Sequence, residues 1–255
     1  MKYFAISDKG LVRDNNEDSI ACEKFGDTLC MVVADGLGGQ EKGEIASMIA
    51  VTGMMDILRE NEDKLISFDE SAIVEILEGS YQKINSKILL RACYNKECIG
   101  MSTTLTCAIL NDKRLIISHL GDCRAYLLHG SKLEVLTLDH TYAAELIKSN
   151  APGISEDEYK AARNMLTKYL GENIFITPDI YRYNVMYGDL ILLCSDGLYA
   201  YIDEDKMRSL LRIHSDLQKC AKSLIDEVFE NGANDNVSLI LAHNRPDDKK
   251  EFKSL

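Results

Sequence analysis

TTLTCAILNDKRLIISHLGDCRAYLL, residues 103–128, decides the fold of this 255-residue chain. It holds three short apolar runs, Thr103–Leu110, Arg114–Leu120 and Arg124–Leu128, each bounded by turn residues. Runs of this length and β-branched content read as strands. Asn111-Asp112-Lys113 is a tight-turn signal between the first two. Links this short make neighbouring strands antiparallel. Moving outward, His129-Gly130-Ser131 repeats the turn signal before a run at Leu133–Leu136. Thr28–Ala34, Asp189–Ser195 and Val237–Ala242 are further apolar runs of strand type. Three stretches carry helical spacing instead: Gly43–Arg59, Glu70–Leu90 and Asp216–Glu230. In the last, Leu217, Cys220, Ala221, Leu224, Ile225, Val228 and Phe229 fall on one face. Two consecutive helices followed by a row of strands predict an α+β architecture with mainly antiparallel sheets, not alternating βαβ units.

The composition narrows the function classes. Hydrophobic residues make up 46% and charged residues 27%, the balance of a folded soluble domain. The net charge of −12 disfavours a chain whose task is to hold nucleic acid or an anionic membrane. The 8 cysteines lie mostly inside apolar runs, and MKYFAISDKG at the start has no apolar leader. Free thiols in a reducing cytoplasm are therefore expected. No apolar stretch reaches the ~18 residues of a membrane span. The section Thr141–Thr177, which contains Pro152, reads as irregular, and the charged end after Asn244 reads as a frayed tail. One domain over residues 1–244 with an insertion is the simplest partition.

Aspartates repeatedly end the apolar runs. Asp35-Gly36 follows MVVA, Asp122 follows Gly121, Asp196-Gly197 follows LILLCS, and Asp235-Asn236 precedes VSLIL. Asn16-Glu17-Asp18 adds an acidic cluster just after Arg13. Any one of these pairs alone is most often a turn. Together they put carboxylates at the rims of buried strands with few lysines or arginines beside them, a costly arrangement unless something pairs with them. Hard divalent cations, Mg²⁺ or Mn²⁺, suit such oxygen ligands.

These residues also carry a resemblance. The ordered blocks are Arg13-x-x-Asn16-Glu17-Asp18, Asp35-Gly36-Leu37-Gly38-Gly39, Ser102-Thr103-Thr104, Gly121-Asp122-Cys123-Arg124, Thr137-x-Asp139-His140, Ser195-Asp196-Gly197-Leu198 and Asp235-Asn236. In identity and order, from about Ser7 to Leu241, they resemble the metal-dependent protein serine/threonine phosphatases of type 2C, in their compact bacterial form. The resemblance implies two antiparallel sheets packed face to face with helices outside, and a metal cleft at one end. It implies that Asp35 bridges two Mn²⁺ or Mg²⁺ ions with the Gly36 carbonyl as a further ligand, and that Asp196 and Asp235 complete the first ion's shell. Glu17 and Asp18 would hold waters on the second ion, Asp122 would support a third, weaker ion, and Arg13 would grip the substrate phosphate. A hydroxide between the two ions would then attack the phosphorus of a phosphoserine or phosphothreonine. The partners implied are phosphorylated proteins and the serine/threonine kinase that the enzyme opposes, with no nucleic acid, no membrane and a monomeric chain.

The sequence departs from the family's pattern twice. Leu37 stands where many members have a histidine, and Ala200 stands where many have a further aspartate. The first leaves leaving-group protonation to water. The second weakens the case for a third ion. Two other classes compete: a catalytically silent binding module, and a metal-dependent hydrolase of nucleic acid or small phosphate esters. The retained Asp35, Asp196, Asp235 and Arg13 count against the module, and the acidic chain counts against nucleic acid. Thr141–Gly171 corresponds to the flap that borders the cleft in the family, and the buried-run thiols Cys123 and Cys194 are expected to pack rather than react.

Overall fold

The computed structural model describes residues 1–37, 42–149, 155–172 and 175–244. The expected frayed tail, residues 245–255, and Gly38-Gly39 lie outside the described residues. In chain order the strands are β1 (Lys2–Asp8), β2 (Ser19–Phe25), β3 (Thr28–Ala34), β4 (Gly36–Leu37), β5 (Ser102–Thr103) and β6 (Leu105–Leu110). They continue with β7 (Arg114–Leu120), β8 (Arg124–His129), β9 (Lys132–Val135), β10 (Asp179–Asn184), β11 (Leu190–Cys194) and β12 (Val237–His243). The helices are α1 (Gly43–Glu60), α2 (Glu62–Ser67), α3 (Glu70–Tyr94), α4 (Tyr142–Lys148), α5 (Glu156–Arg163), α6 (Asp196–Tyr199), α7 (Glu204–Ile213) and α8 (Leu217–Glu230).

Two antiparallel five-stranded sheets form, ordered β1-β12-β11-β8-β9 and β10-β7-β6-β3-β2. Their side chains explain why the central strands are apolar throughout. Leu29, Met31 and Val33 of β3 face Ile191 and Leu193 of β11 and Ile240 of β12 in the layer between the sheets. The alternate residues Cys30 and Val32 face α1 and α3, with Leu58, Leu77 and Ile84. Leu192, Leu239 and Leu241 likewise face α8, with Leu224 and Val228. Both faces of each sheet are covered, so the period-2 alternation of a half-exposed strand is erased. Each large apolar side chain so buried stabilises the fold by about 1.5–3 kcal/mol relative to exposure.

Two expectations need correction. Thr103–Leu110 is not one strand: β5 pairs with β4, and β6 starts afresh after Thr104. The break arises because Thr104 leaves the ladder to hold Asp35, its N–H donating to the Asp35 carbonyl at 2.9 Å. The section after Thr141 is not irregular, since it contains α4 and α5, each N-capped by a hydroxyl: Thr141 caps α4 and Ser155 caps α5 in a box with Glu158.

Register decides where the site falls. In β2–β3, Ser19 lies opposite Ala34; in β1–β12, Asp8 lies opposite Val237; in β11–β8, Cys194 lies opposite Arg124. Residues just beyond these pairs, Asp18, Asp35, Asp235, Asp196 and Asp122, therefore leave the two sheets at one end of the sandwich.

Candidate functional site

Asp35 is the best-held of these residues. Its N–H donates to Thr104 Oγ1 at 2.8 Å, and its carbonyl accepts from Thr103 Oγ1 at 2.8 Å as well as from the Thr104 N–H. Gly36 follows on β4, its N–H donating to the Glu17 carbonyl at 3.1 Å. Asp196 opens α6 one residue after β11, and its carboxyl group lies close enough to that of Asp35 for the two to interact. Asp18 accepts from Ser195 Oγ at 2.7 Å. Asp235 accepts from Arg13 Nη2 at 2.9 Å through one oxygen and from the Asn236 N–H at 2.8 Å through the other. Asp122 sits in the β7–β8 bend, where Tyr199 donates to its carbonyl at 2.9 Å.

Charge shows that these groups form one cluster. Burial first, then the carboxylates of Asp18, Asp196, Asp122 and Asp235, push the Asp35 carboxyl far above the usual carboxylate range. Burial and Asp235 push Asp196 up to about 6. Burial, only partly offset by the Ser238 and Ser195 hydroxyls, pushes Asp18 up to about 7. Asp122 is raised by burial, Asp196 and Asp139. Glu17 stands one step out: burial raises it, Arg13 lowers it, and Glu44 of α1 raises it again. The cations nearby are few. Arg13 faces Asp235, and Arg124 is held by Asp139 in a two-bond fork at 2.9 and 2.7 Å, its guanidinium stacked over the Tyr199 ring at 3.7 Å.

This cluster fits hard cations. One oxygen of Asp122 is buried with no hydrogen-bond partner among the described residues. A buried, unpaired carboxylate oxygen costs several kcal/mol in a low-dielectric site. Among the described residues, five aspartates share the end of the sandwich with one guanidinium not already forked onto a carboxylate outside it. Among the described residues no three such side chains stand in a formed ligand array; Asp18 is turned to Ser195 and Asp235 to Arg13. The structure thus brings Asp18, Asp35, Asp122, Asp196 and Asp235 together, with Arg13 and Glu17 at the rim.

The sequence reading assigned no role to Thr104, Ser195, Asn236 or Glu44. The first three act through hydrogen bonds to residues far along the chain, which no local pattern reveals. Cys123 and Cys194 are buried, and burial raises both thiols, so they pack beside the carboxylates as inert groups. His140 braces the Asp122 bend from behind. Its Nδ1 accepts from the Gly121 N–H at 3.0 Å, Nε2 lies 3.1 Å from Asp179, and its ring stacks on His119. A cavity of about 310 Å³ opens beside Asp122 and Asp196, walled by Ala200, Glu204 and the α4–α5 section.

The sequence model of the family described as protein phosphatase 2C matches residues 12–236. The chain belongs to the protein phosphatase 2C family. Its enzyme class is that of the serine/threonine protein phosphatases, which are hydrolases. The chain is 31% identical over 236 residues to a serine/threonine phosphatase, stp, of Listeria monocytogenes, with 92% of each chain covered. It is similar to the crystal structure of a bacterial serine phosphatase at a TM-score of 0.85 and 28% identity, covering 98% of this chain and 100% of that one. It is also similar, at a TM-score of 0.78 and 30% identity over 94% and 96% of the two chains, to the catalytic domain of the phosphatase PstP. That structure holds two manganese ions. The type 2C sandwich expected from the ordered motifs is the one found, down to the helical layer on each outer face.

Proposed function

We propose that this type 2C phosphatase removes phosphate from phosphoserine and phosphothreonine in proteins, using two Mn²⁺ or Mg²⁺ ions, and that it opposes a serine/threonine kinase. One observation carries the reading: buried and half-buried aspartates from both sheets meet at one end of the sandwich, with few cations among the described residues to balance them. Asp35 and the Gly36 carbonyl, with Asp196 and Asp235, are the residues that would hold the ions directly; Glu17 and Asp18 would hold them through waters. When bound, such a pair supplies a water acidified to near neutral pH and a positive template for phosphoryl oxygens.

The chain's own residues do the rest. Thr103 and Thr104 fix the backbone of Asp35 at the end of β3 before any ligand arrives, which leaves only its side chain to turn toward an ion. The Arg13 side chain is 45% exposed, so its guanidinium is open to a phosphate from solution while its other face stays anchored to Asp235. A planar fork can contact two phosphate oxygens at once. Leu37 brings no proton, and His140 is committed to Gly121 and Asp179, so the departing serine or threonine oxygen takes its proton from water. Asp122 is the residue for a third ion, which Ala200 leaves one carboxylate short. Residues 1–244 would act as one catalytic domain, monomeric and cytoplasmic. No helix among the described residues is long and apolar enough to cross a membrane.

The test is direct. Protein stripped with EDTA is expected to be inert toward a phosphothreonine peptide and to regain turnover with Mn²⁺. Asp35→Asn is expected to lose at least ~100-fold in kcat/KM, since the central ligand is gone. Wild-type protein that turns over no phosphopeptide with any divalent ion would overturn the reading.

A further inference from the structure

Residues 9–17 carry Arg13 and Glu17; residues 233–236 carry Asp235. The two segments lie more than 200 positions apart in sequence, and Asn236, which is 4% exposed, makes three of the hydrogen bonds that join them. Its Oδ1 accepts from the Glu17 N–H at 2.8 Å. Its Nδ2 donates to the carbonyls of Lys9 and Asn15, both at 2.9 Å. Both donor hydrogens and the acceptor of the carboxamide are thus satisfied by backbone of the loop. The orientation is fixed by chemistry, since a flipped amide would set N–H against N–H and oxygen against two carbonyls. The Asn236 N–H meanwhile donates to Asp235 Oδ1 and so turns that carboxylate.

Close packing leaves this knot no slack. A Cβ at Gly10 would stand 2.2 Å from the Asp235 carbonyl, and one at Gly197 would stand 1.9 Å from the Asn236 carbonyl. The Asp235–Asn236 peptide is therefore wedged between the loop and the turn that presents Asp196. Leu11 N–H closes the seam onto the Ala233 carbonyl at 2.9 Å.

We propose that Asn236 is a positioning residue: it sets the register of loop 9–17, and so places Arg13 and Glu17 against Asp35, Asp196 and Asp235. This role rests on the phosphatase reading for its kinetic consequence but not for its structural one. No neighbouring residue type substitutes. Aspartate lacks the two donors, alanine lacks all three partners, and glutamine sets the amide one methylene too far.

Amide hydrogen exchange on the metal-free wild-type chain is the first measurement. The Glu17 N–H, in a loop, is expected to be protected to a degree comparable with β1. Exchange as fast as in an unstructured peptide would overturn the proposal without any variant. In Asn236→Ala, exchange over residues 9–17 is expected to rise at least ~tenfold while β1 and β12 keep their protection. The Mn²⁺ concentration for half-saturation, read by electron paramagnetic resonance, and KM for a phosphothreonine peptide are expected to rise together, each by roughly tenfold. A residue that merely lent stability would thin the folded population, lowering apparent kcat and leaving both constants where they were. That outcome, or unchanged exchange in the loop, would sink the proposal. Asn236→Gln, which adds no charge and sets the amide one methylene too far, gives the same readings should the alanine variant not fold. If the wild type hydrolyses no phosphopeptide, the phosphatase reading fails, and exchange and Mn²⁺ binding still decide the role of Asn236.

Discussion

Arg13 illustrates how much one side chain's chemistry can decide. It sits at the rim, hydrogen-bonded to Asp235, its charge reinforced by that bond against the cost of its partial burial. Arg13→Lys keeps the charge and loses the planar fork. The expected outcome is a KM for phosphopeptide raised about tenfold with kcat changed less, and steady-state kinetics in saturating Mn²⁺ checks it; an unchanged KM would remove Arg13 from phosphate binding. At this scale the sequence was a good guide to which carboxylates gather and a poor one to what holds them in place. Asp35, Asp196 and Asp235 announce themselves as carboxylates at the ends of apolar runs. Ser195, which donates to Asp18, and Thr104, which holds Asp35, are small polar residues in the same runs, and their importance is a matter of partners 177 and 69 positions away.

Among the elements, the strands legible in the sequence are mainly the buried ones. β3, β6, β7, β11 and β12 are nearly all apolar because helices and the other sheet cover both faces. The long strands that local patterning passed over are β1, β2 and β10, all three at sheet edges and only half-buried, with sequences such as SIACEKF and DIYRYN. An edge strand is specified by its neighbour as much as by its own residues. Short α4 and α5 were hidden by weak apolar periodicity, although Ser155 and Glu158 spell a capping box. The β11–α6 turn offers a test of how tightly elements are fitted here. Gly197→Ala would drive a methyl group into the Asn236 carbonyl, for which nothing flexible can give way. We expect a loss of at least about 1–3 kcal/mol in urea denaturation, together with weaker Mn²⁺ binding. A variant of wild-type stability would show that the turn has room it does not display.

For the whole molecule, the carboxylate cluster links stability, pH and metal. In the metal-free protein the raised groups, Asp18 at about 7 and Asp196 at about 6, hold protons that the unfolded chain releases near pH 4. Their contribution to stability is full below that range and is lost as pH rises through 6 to 7. His119 works in the opposite direction. Burial holds it neutral with a pKa of about 3, so the stability it contributes grows as pH rises to about 6.5. Comparison with and without metal removes the histidine contribution. Binding cations requires the carboxylates to give up their protons. The rise in Tm produced by a fixed concentration of Mn²⁺ is therefore expected to be largest near pH 8 and to shrink steadily through pH 7 and 6, measured by calorimetry. A rise independent of pH would mean that the cations bind elsewhere.

The position of β12 carries one more consequence. The strand lies inside its sheet, between β1 and β11, and the turn before it supplies Asp235. Until residues 237–243 are made, β1 has no strand partner and β11 has β8 alone. A chain lacking the segment from Asp235 onward would therefore leave β1 unpaired and the cluster one carboxylate short.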